Sequence, residues 1–270
     1  MPHQQDAAFS GSVPENYDQY LGPAFFEPYA ADLVERVPWR DSVSILEIAC
    51  GTGVVTRRLL ERLPRDAKLV ATDLNDGMIS YAQDKLRGAD RVEWKQADAM
   101  ALPFADEAFD VAVCQFGFMF VPEKATAFRE ARRVLKPGGT FLFNVWDSME
   151  TNDYARVAHQ TILSSVTPEP PRFFETPYGS FDRDEMRQLL EDAGFSNIDV
   201  TTVDLESVSP SARDAARGLV QGTPVFVALV KRDPAIVPSL VENVAQALVP
   251  VCGDQPCRGQ MRAFVWRATR

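Results

Sequence analysis

The stretch VSILEIACGTGVVTRRLL, residues 43–60, decides the fold of this chain of 270 residues. It begins with a short apolar run rich in β-branched residues, which predicts a buried parallel strand. The run breaks at Gly51–Gly53 and continues with helical periodicity, apolar on one side and charged on the other. A strand, a glycine turn and a helix N-terminus form the ligand-binding corner of a doubly wound α/β sheet. We therefore predict an α/β fold with its main site at this turn.

The residues around the turn indicate which ligand binds there. A dinucleotide fingerprint requires a third glycine three residues after Gly53, and this chain has Thr56 at that position. Glu47, in the strand, is an unfavourable neighbour for a pyrophosphate but a favourable one for a cationic group. Asp73 ends the next apolar run about 20 residues further on, at the spacing of a carboxylate that binds ribose hydroxyls, and Asp98 ends the run after that. These carboxylates predict a ligand with a ribose, an amino-bearing base and a positive charge, and S-adenosylmethionine fits that description.

Four segments form a wider pattern: ILEIACGTG (45–53), within the opening stretch, and then LVATDLNDGMI (69–79), QADAMALPFADEAFDVAVCQFGFMF (96–120) and RVLKPGGTFLFNVW (133–146). In order and spacing they resemble the class I S-adenosylmethionine-dependent methyltransferases, in the broad type 11 group that includes quinone and small-molecule methyltransferases. The resemblance implies a seven-stranded, mostly parallel Rossmann-like sheet with an antiparallel last strand and helical cap insertions. One residue departs from the family pattern, because Ala49 stands where the family has the first glycine of the turn. We expect it to be tolerated because it is small.

The resemblance also implies the contacts to the cofactor. Asp73 is expected to bind the ribose hydroxyls, with Leu74 against the adenine. Asp98 is expected to accept a hydrogen bond from the adenine amino group, and a plain helix N-cap is the alternative. Gln115 ends the fourth predicted strand, where its backbone and amide are placed to hold the aminoacyl end of the cofactor. The full predicted set of cofactor contacts is Tyr20, Glu47, Ala49, Cys50, Gly51, Asp73, Leu74, Met78, Asp98, Ala99 and Gln115.

Two members of this set have an ordinary packing alternative. Met78 lies one turn into the following helix, where it either touches the adenine or packs the helix on the sheet. Tyr17 and Tyr20 belong to an aromatic N-terminal segment. That segment is either a flap over the cofactor, as in the resembling family, or a helix packed on the sheet edge.

Residues that follow the fourth and fifth strands are predicted to face the methyl acceptor. Ligands of such sheets bind outside the carboxyl ends of the strands, which places Phe116, Phe118 and Trp146 on the acceptor side. Phe118 and Phe120 alternate with Met119, so at least one of the two is expected to face the acceptor, with core packing as the alternative. Arg172 and Tyr178 are further candidates because they lie in an insertion, residues 151–181, where the resembling family builds substrate specificity.

Asp147 and His159 are the candidate catalytic residues. His159 has the acid–base range of a general base, with a structural role on its helix as the alternative. Asp147 is either a carboxylate that faces the substrate or a cap for the next segment. No base is obligatory, because a sulfonium carries its own leaving group and the protein mainly aligns the nucleophile and excludes water.

The charge balance argues against a nucleic-acid substrate. Lys+Arg 28 against Asp+Glu 38 gives a formal net charge of −10, whereas binding a polyanion needs a positive footprint. No apolar stretch has transmembrane length, and no signal-peptide pattern is found. The four cysteines are too scattered for a disulfide framework, which indicates free thiols and no metal site. We expect a cytoplasmic protein, monomeric or homodimeric, with neither membrane nor nucleic-acid partners.

Four regions are predicted along the chain. They are an N-terminal flap and helical segment (1–40), a cofactor-binding core (41–150), a substrate-cap insertion (151–181) and the C-terminal half of the sheet (182–270), with a helical insertion at about 207–260. The predicted activity is in-line transfer of a methyl group to O, N or C of a small-molecule acceptor, with S-adenosyl-L-homocysteine as product. Two alternatives are a cofactor-binding partner subunit without chemistry and a nicotinamide-dependent oxidoreductase.

Overall fold

The computed structural model describes residues 11–180 and 182–270, so the first ten residues of the predicted 1–40 segment and residue 181 lie outside the described residues. The described strands belong to one seven-stranded sheet. They are β1 (Ser44–Ile48), β2 (Lys68–Asp73), β3 (Val92–Gln96), β4 (Phe109–Gln115), β5 (Leu135–Trp146), β6 (Ser196–Ser209) and β7 (Cys257–Thr269).

Helices flank this sheet. In the described ranges they are α1 (Val13–Asn16), α2 (Glu27–Glu35), α3 (Val54–Arg62), α4 (Asp76–Lys85), α5 (Lys124–Val134), α6 (Asp153–Ser165), α7 (Arg183–Asp192), α8 (Ala212–Gln221), α9 (Pro224–Arg232) and α10 (Ile236–Cys252). A π-helical segment, Tyr17–Phe26, joins α1 to α2. Single 3-10 turns occur at Phe118–Phe120, Met149–Thr151 and Phe173–Glu175.

The strand order is β3-β2-β1-β4-β5-β7-β6, with β1 to β5 parallel and β7 antiparallel to both of its neighbours. The order reverses at β1, where Leu46 pairs with Val70 of β2 on one side and with Ala112 of β4 on the other. Residues 45–48 are all buried, because both faces of a central parallel strand are covered. The doubly wound, mostly parallel sheet predicted from the sequence is confirmed, and its switch point lies between β1 and β4.

The turn between β1 and α3 is built from left-handed backbone. Ala49, Gly51 and Gly53 have φ angles of 57°, 55° and 80°. A Cβ on Gly53 would lie 3.2 Å from Ala82 Cβ, so this glycine also lets α3 pack against α4. The turn therefore needs glycine for its conformation and for close packing.

Three strands extend beyond their predicted ends, which were 140–145, 198–205 and 261–268. The β6–β7 hairpin continues to pair out to Ser209 and Cys257. Strand β5 begins at Leu135, which pairs with Phe109, and a bulge that contains Gly138 at φ 74° precedes the regular ladder. The sequence Pro137-Gly138-Gly139 predicts a sharp turn before this strand, and the structure has an irregularity inside β5 at that place.

Three helices, α8, α9 and α10, lie between β6 and β7, where the sequence predicts two, at 211–220 and 238–249. The additional helix, α9, begins at Pro224 directly after Thr223. A proline at the first helical position is a start signal, and an apolar run follows it, so the sequence did contain evidence for α9.

All four cysteines are free thiols. Among residues 11–180 and 182–270, no helix combines the length and the apolar content needed to cross a bilayer. Within the same residues, no cluster of His, Cys, Asp and Glu side chains could hold a metal ion.

Candidate functional site

A cleft of about 640 Å³ opens at the carboxyl ends of β1, β2 and β4 and beside the loop that follows β3. We call it the cofactor cleft. It lies at the switch point of the sheet, where doubly wound proteins bind their ligands. The predicted cofactor contacts that line it are Ala49, Gly51, Asp73, Leu74, Met78, Asp98, Ala99 and Gln115.

Asp73 presents a fixed carboxylate to the cleft. Its Oδ2 accepts a hydrogen bond from the Gly51 N–H at 2.9 Å, and its Oδ1 accepts one from the Asn75 N–H at 2.8 Å. Burial raises the pKa of Asp73, and the N–H groups of Asn75 and Gly51 oppose that shift. Each carboxylate oxygen can accept a further hydrogen bond. The two oxygens therefore suit a pair of neighbouring hydroxyls, such as those of a ribose.

The next part of the cleft suits a purine base. Leu74 is 53% exposed, an unusual amount for a large apolar side chain, and it lines the cleft. Asp98 also lines the cleft, and its Oδ1 accepts a hydrogen bond from the Met100 N–H at 2.8 Å. One carboxylate oxygen of Asp98 therefore makes the capping hydrogen bond. A contact between this carboxylate and a ligand amine is compatible with that bond.

Gln115 supplies an acceptor that lacks a donor. Its Nε2 donates to the Phe26 carbonyl oxygen at 3.1 Å, whereas its buried Oε1 has no hydrogen-bond partner among the described residues. A buried acceptor left unpaired costs about 1–3 kcal/mol. The ammonium group of an amino-acid moiety bound in the cleft would supply the missing donor.

The departure from the family pattern at Ala49 is accommodated by the residue opposite. A Cβ on Gly117 would lie 2.5 Å from Ala49 Cβ and 2.7 Å from Cys114 Sγ. The methyl group of Ala49 therefore fits only because residue 117 has no side chain. This contact gives a physical reason for the expected tolerance of alanine in the turn.

Three predicted cofactor contacts do not line the cleft. Glu47 is 2% exposed and lies behind the turn, where its Oε2 accepts a 2.6 Å hydrogen bond from Thr56 Oγ1. Burial raises the pKa of Glu47 to about 8. Cys50 packs in a small cluster with Ala71 and Ile79 instead.

The third, Tyr20, lies against α8, since its Cβ is 2.9 Å from where a Cβ on Gly218 would be. Tyr17, one turn earlier, lines the cleft in its place and stacks on Phe26 with ring centroids 4.5 Å apart. The aromatic pattern in the sequence identified the N-terminal segment beside the cleft, but it did not identify Tyr17 as the tyrosine that lines the cleft.

A second cavity of about 60 Å³, which we call the aromatic chamber, adjoins the cofactor cleft. Tyr17, Phe116 and Phe120 line both cavities and form the wall between them. The predicted acceptor contacts Phe116, Trp146 and Tyr178 line the chamber. The other residues that line the chamber are Leu21, Phe25, Phe26, Met119, Phe120, Phe173, Phe174, Pro177, Leu219 and Thr223.

The rings of the chamber are held by mutual stacking. Phe116 and Trp146 are nearly parallel, with centroids 3.9 Å apart, and Trp146 also stacks on Tyr178 at 5.8 Å. Phe116 has a φ of 54°, a left-handed conformation that is unusual for an aromatic residue. Such strain concentrates at functional sites, and here it fixes a ring in the shared wall.

Phe118 is not an acceptor contact in this arrangement. It is 1% exposed and packs in the core, stacked on Phe128 at 4.9 Å. Phe120 lines the chamber instead, because the 3-10 turn at Phe118–Phe120 replaces the extended alternation on which the prediction rested.

His159 lies outside both cavities. Its Nε2 is 3.7 Å from Glu175 Oε1 and its Nδ1 is buried without a partner among the described residues. Burial lowers the pKa of His159. The position of this histidine on α6 supports the structural alternative rather than a role as general base.

Asp147 also lies outside the cofactor cleft and the aromatic chamber. Its Oδ1 accepts a hydrogen bond from the Ser148 N–H at 2.6 Å, and its Oδ2 is 4.0 Å from the Arg262 guanidinium. These contacts are those of a cap at the end of β5, so the capping alternative describes this residue.

A third cavity of about 610 Å³, the outer groove, shares Met119 and Phe173 with the aromatic chamber. Arg172, predicted as an acceptor contact, lines this groove and not the chamber. The adjacent aromatic pairs Phe25–Phe26 and Phe173–Phe174 were sequence signals for the chamber, because large rings clustered outside the sheet need a common packing partner.

This fold and this cleft define a class I S-adenosylmethionine-dependent methyltransferase, and the chain belongs to that family. A family model described as a methyltransferase domain matches residues 45–139. The ubiquinone/menaquinone biosynthesis C-methyltransferase UbiE of Shewanella oneidensis is 30% identical over 178 residues, which are 61% of this chain and 70% of that protein. The methyl donor of the present chain is therefore S-adenosyl-L-methionine. The alternative of a nicotinamide-dependent oxidoreductase is set aside.

Solved structures agree on the fold. The YcgJ protein of Bacillus subtilis aligns with a TM-score of 0.61 at 17% identity, over 90% of this chain and 98% of that one. A phosphoethanolamine N-methyltransferase of Haemonchus contortus, crystallised with S-adenosyl-L-methionine, aligns with a TM-score of 0.63 at 16% identity, over 98% of this chain and 58% of that one.

Proposed function

We propose that this protein transfers the methyl group of S-adenosyl-L-methionine to a small, mainly apolar and aromatic acceptor bound in the aromatic chamber. The observation that carries the proposal is the shared wall, because Tyr17, Phe116 and Phe120 line both the cofactor cleft and the chamber. In-line transfer requires the methyl carbon and the acceptor atom to come within about 3–3.5 Å of each other, and the chamber of about 60 Å³ is smaller than the roughly 150 Å³ cavity that holds a benzene. The proposal therefore requires these side chains to move apart when the ligands bind, so that the chamber opens into the cofactor cleft.

The residues of the cofactor cleft have complementary roles in this proposal. Asp73 would bind the ribose hydroxyls, Leu74 would pack against the adenine, and the unpaired Oε1 of Gln115 would accept from the ammonium group. The cofactor supplies an electrophilic methyl group on a positively charged sulfur. Aromatic faces attract such a cation and exclude water from it, which suits the rings of the shared wall.

The lining of the chamber also bears on the acceptor atom. Among the described residues that line it, none has a carboxylate, imidazole, amine or thiol side chain. Burial raises the pKa of both tyrosines, Tyr17 and Tyr178, so their hydroxyls stay neutral. The acceptor must then be nucleophilic by its own chemistry, as phenolates, amines and electron-rich ring carbons are. The likeness to C-methyltransferases supports carbon among these.

Bulk properties support the remaining parts of the proposal. A formal net charge of −10 favours a small-molecule acceptor over a nucleic acid. Four free thiols fit a reducing compartment, so we propose that the protein is cytoplasmic. We also propose that it is a monomer or a homodimer.

Calorimetry with S-adenosyl-L-methionine and S-adenosyl-L-homocysteine, followed by a labelled-methyl screen, tests the proposal. The screen covers phenols, quinols, carboxylic acids and amines. We expect micromolar binding of both cofactor forms and turnover on an aromatic class. Enlarging the chamber with Phe116→Ala should change which acceptors are used more than it changes cofactor affinity. Binding without turnover on any class would contradict the proposed acceptor chemistry and revive the partner-subunit alternative.

A further inference from the structure

The aromatic chamber lies between two larger cavities. It shares Tyr17, Phe116 and Phe120 with the cofactor cleft, and it shares Met119 and Phe173 with the outer groove. Among the residues that the structure describes, none lines both the cleft and the groove. An acceptor whose reacting end occupies the chamber could therefore extend away from the cofactor into the outer groove.

The outer groove carries cationic side chains on a protein whose net charge is negative. Lys124, Arg172 and Arg232 line it, together with the carboxylates Glu169 and Glu175. Glu175 is already paired, because its Oε1 accepts from Arg172 at 2.6 Å. Glu169 is exposed to solvent, where screening weakens its effect on the other charges.

Among the described residues, Arg232 and Lys124 form no salt bridge. The guanidinium of Arg232 donates to the carbonyl oxygens of Thr167 and Pro168, both at 2.6 Å. Neither cation has a carboxylate within 4.0 Å in the part of the chain that the structure describes. The Arg232 charge is therefore positioned by neutral carbonyls but not compensated.

Lys124 is in an unfavourable place for a cation. It is the first residue of α5, where the positive end of the helix dipole repels it. Within residues 11–180 and 182–270, its Nζ donates to the Val121 carbonyl oxygen alone, at 3.4 Å. Burial lowers the pKa of Lys124, and the charge of Glu185 opposes that shift. A bound anion at this helix end would pair with the Lys124 ammonium group and would offset its repulsion by the helix dipole.

We propose that the outer groove is a subsite for an anionic group of the methyl acceptor, a carboxylate or a phosphate, which binds Lys124 and Arg232 while the aromatic part of the acceptor occupies the chamber. This inference rests on the proposed function, since it assumes that the acceptor binds in the chamber. It narrows the acceptor to elongated molecules with an apolar, nucleophilic end and an acidic end.

Three matched probes test the inference. Phenylhexanoate, phenylhexyl phosphate and the neutral phenylhexanol are titrated by calorimetry into the protein saturated with S-adenosyl-L-homocysteine. We expect at least one of the two anions to bind about tenfold or more tightly than the alcohol, the increment of one charge-assisted hydrogen bond. The comparison between the two anions distinguishes a carboxylate subsite from a phosphate subsite.

Two variants locate the effect. Lys124→Met keeps the length of the side chain and should abolish most of the preference for the anion while leaving the affinity for phenylhexanol unchanged. Lys231→Met is the matched control, since Lys231 is exposed on α9 next to Arg232 and does not line the groove. S-adenosyl-L-homocysteine affinity in each variant reports that the fold is intact.

The outcomes separate the two proposals. Equal binding of all three probes, or a preference for the anion that survives Lys124→Met, would overturn the anion subsite and leave the chamber proposal standing. Binding of none of the three to the loaded protein would overturn the chamber as acceptor site, and the subsite with it.

Discussion

Gly117 and Ala49 are a size-matched pair beneath the cofactor cleft, and replacing Gly117 by alanine tests the match. The new Cβ would lie 2.5 Å from Ala49 Cβ and 2.7 Å from Cys114 Sγ. Gly117 has φ −94° and ψ −41°, a conformation that alanine adopts readily, so the penalty is steric. Overpacking in a tight core costs about 1–3 kcal/mol, and we expect Gly117→Ala to lower the free energy of unfolding by about 2 kcal/mol.

The second substitution, Ala49→Gly, removes one of the two clashing partners. Ala49 has a φ of 57°, a conformation that costs alanine about 1 kcal/mol relative to glycine. The greater freedom of glycine in the unfolded chain offsets roughly 0.5 kcal/mol of that gain. Ala49→Gly alone should therefore stabilise the protein by about 0.5 kcal/mol. In the double variant only the contact with Cys114 Sγ remains. We therefore expect its free energy of unfolding to be roughly 1 kcal/mol higher than the sum of the two single effects predicts.

Urea denaturation followed by circular dichroism measures all four members of this cycle. Calorimetric affinity for S-adenosyl-L-homocysteine gives a second readout, because both residues line the cleft. A coupling free energy within about 0.3 kcal/mol of zero would refute the idea that Gly117 is what allows alanine in the turn.

Three further predictions concern the same region. Asp73→Ala should raise the Kd for S-adenosyl-L-methionine at least about tenfold, equivalent to 1.4 kcal/mol, whereas Asp76→Ala, at an exposed position beside the cleft, should leave it unchanged in calorimetry. Gly222→Ala should weaken cofactor binding about threefold or more, because the new Cβ would lie 2.7 Å from the Gly218 carbonyl oxygen and 3.0 Å from the Tyr17 backbone, and Tyr17 would have to shift; an affinity equal to that of the unmodified protein would count against this contact. The pKa of Glu47 is raised from 4.5 to about 8 in the folded state, so this carboxyl holds its proton in the folded protein after losing it in the unfolded chain. Its contribution to stability is therefore present below pH 4.5 and lost as the pH rises to about 8; Glu47→Gln should flatten that part of the pH profile of unfolding, and an unaltered slope would show that Glu47 is not the group responsible.

The central sheet could be predicted because its information is local. The β1 run, the turn and α3 are contiguous in the sequence. Asp73 and Gln115 are the last residues of β2 and β4, and Asp98 follows shortly after the end of β3, so all three belong to the carboxyl edge of the sheet. Their individual roles were implied by the resemblance to the methyltransferase family. The structure places all three along one cleft.

The acceptor side could not be predicted at the level of residues, because side-chain direction there depends on tertiary packing. The register of the π-helical segment selects Tyr17 over Tyr20. The 3-10 turn after β4 exchanges Phe118 for Phe120. His159 has a suitable chemistry, but α6 carries it outside both cavities, a relationship that no spacing in the sequence encodes.

The shared wall makes the two cavities thermodynamically dependent on each other. Tyr17, Phe116 and Phe120 contact whatever fills the cofactor cleft on one side and whatever fills the aromatic chamber on the other. If loading the cofactor shifts these rings so that acceptor affinity changes by some factor, linkage requires the acceptor to change cofactor affinity by the same factor. The strained backbone of Phe116 can couple the two cavities. A ligand that relieves or enforces its left-handed conformation changes the affinity of both the cofactor cleft and the aromatic chamber.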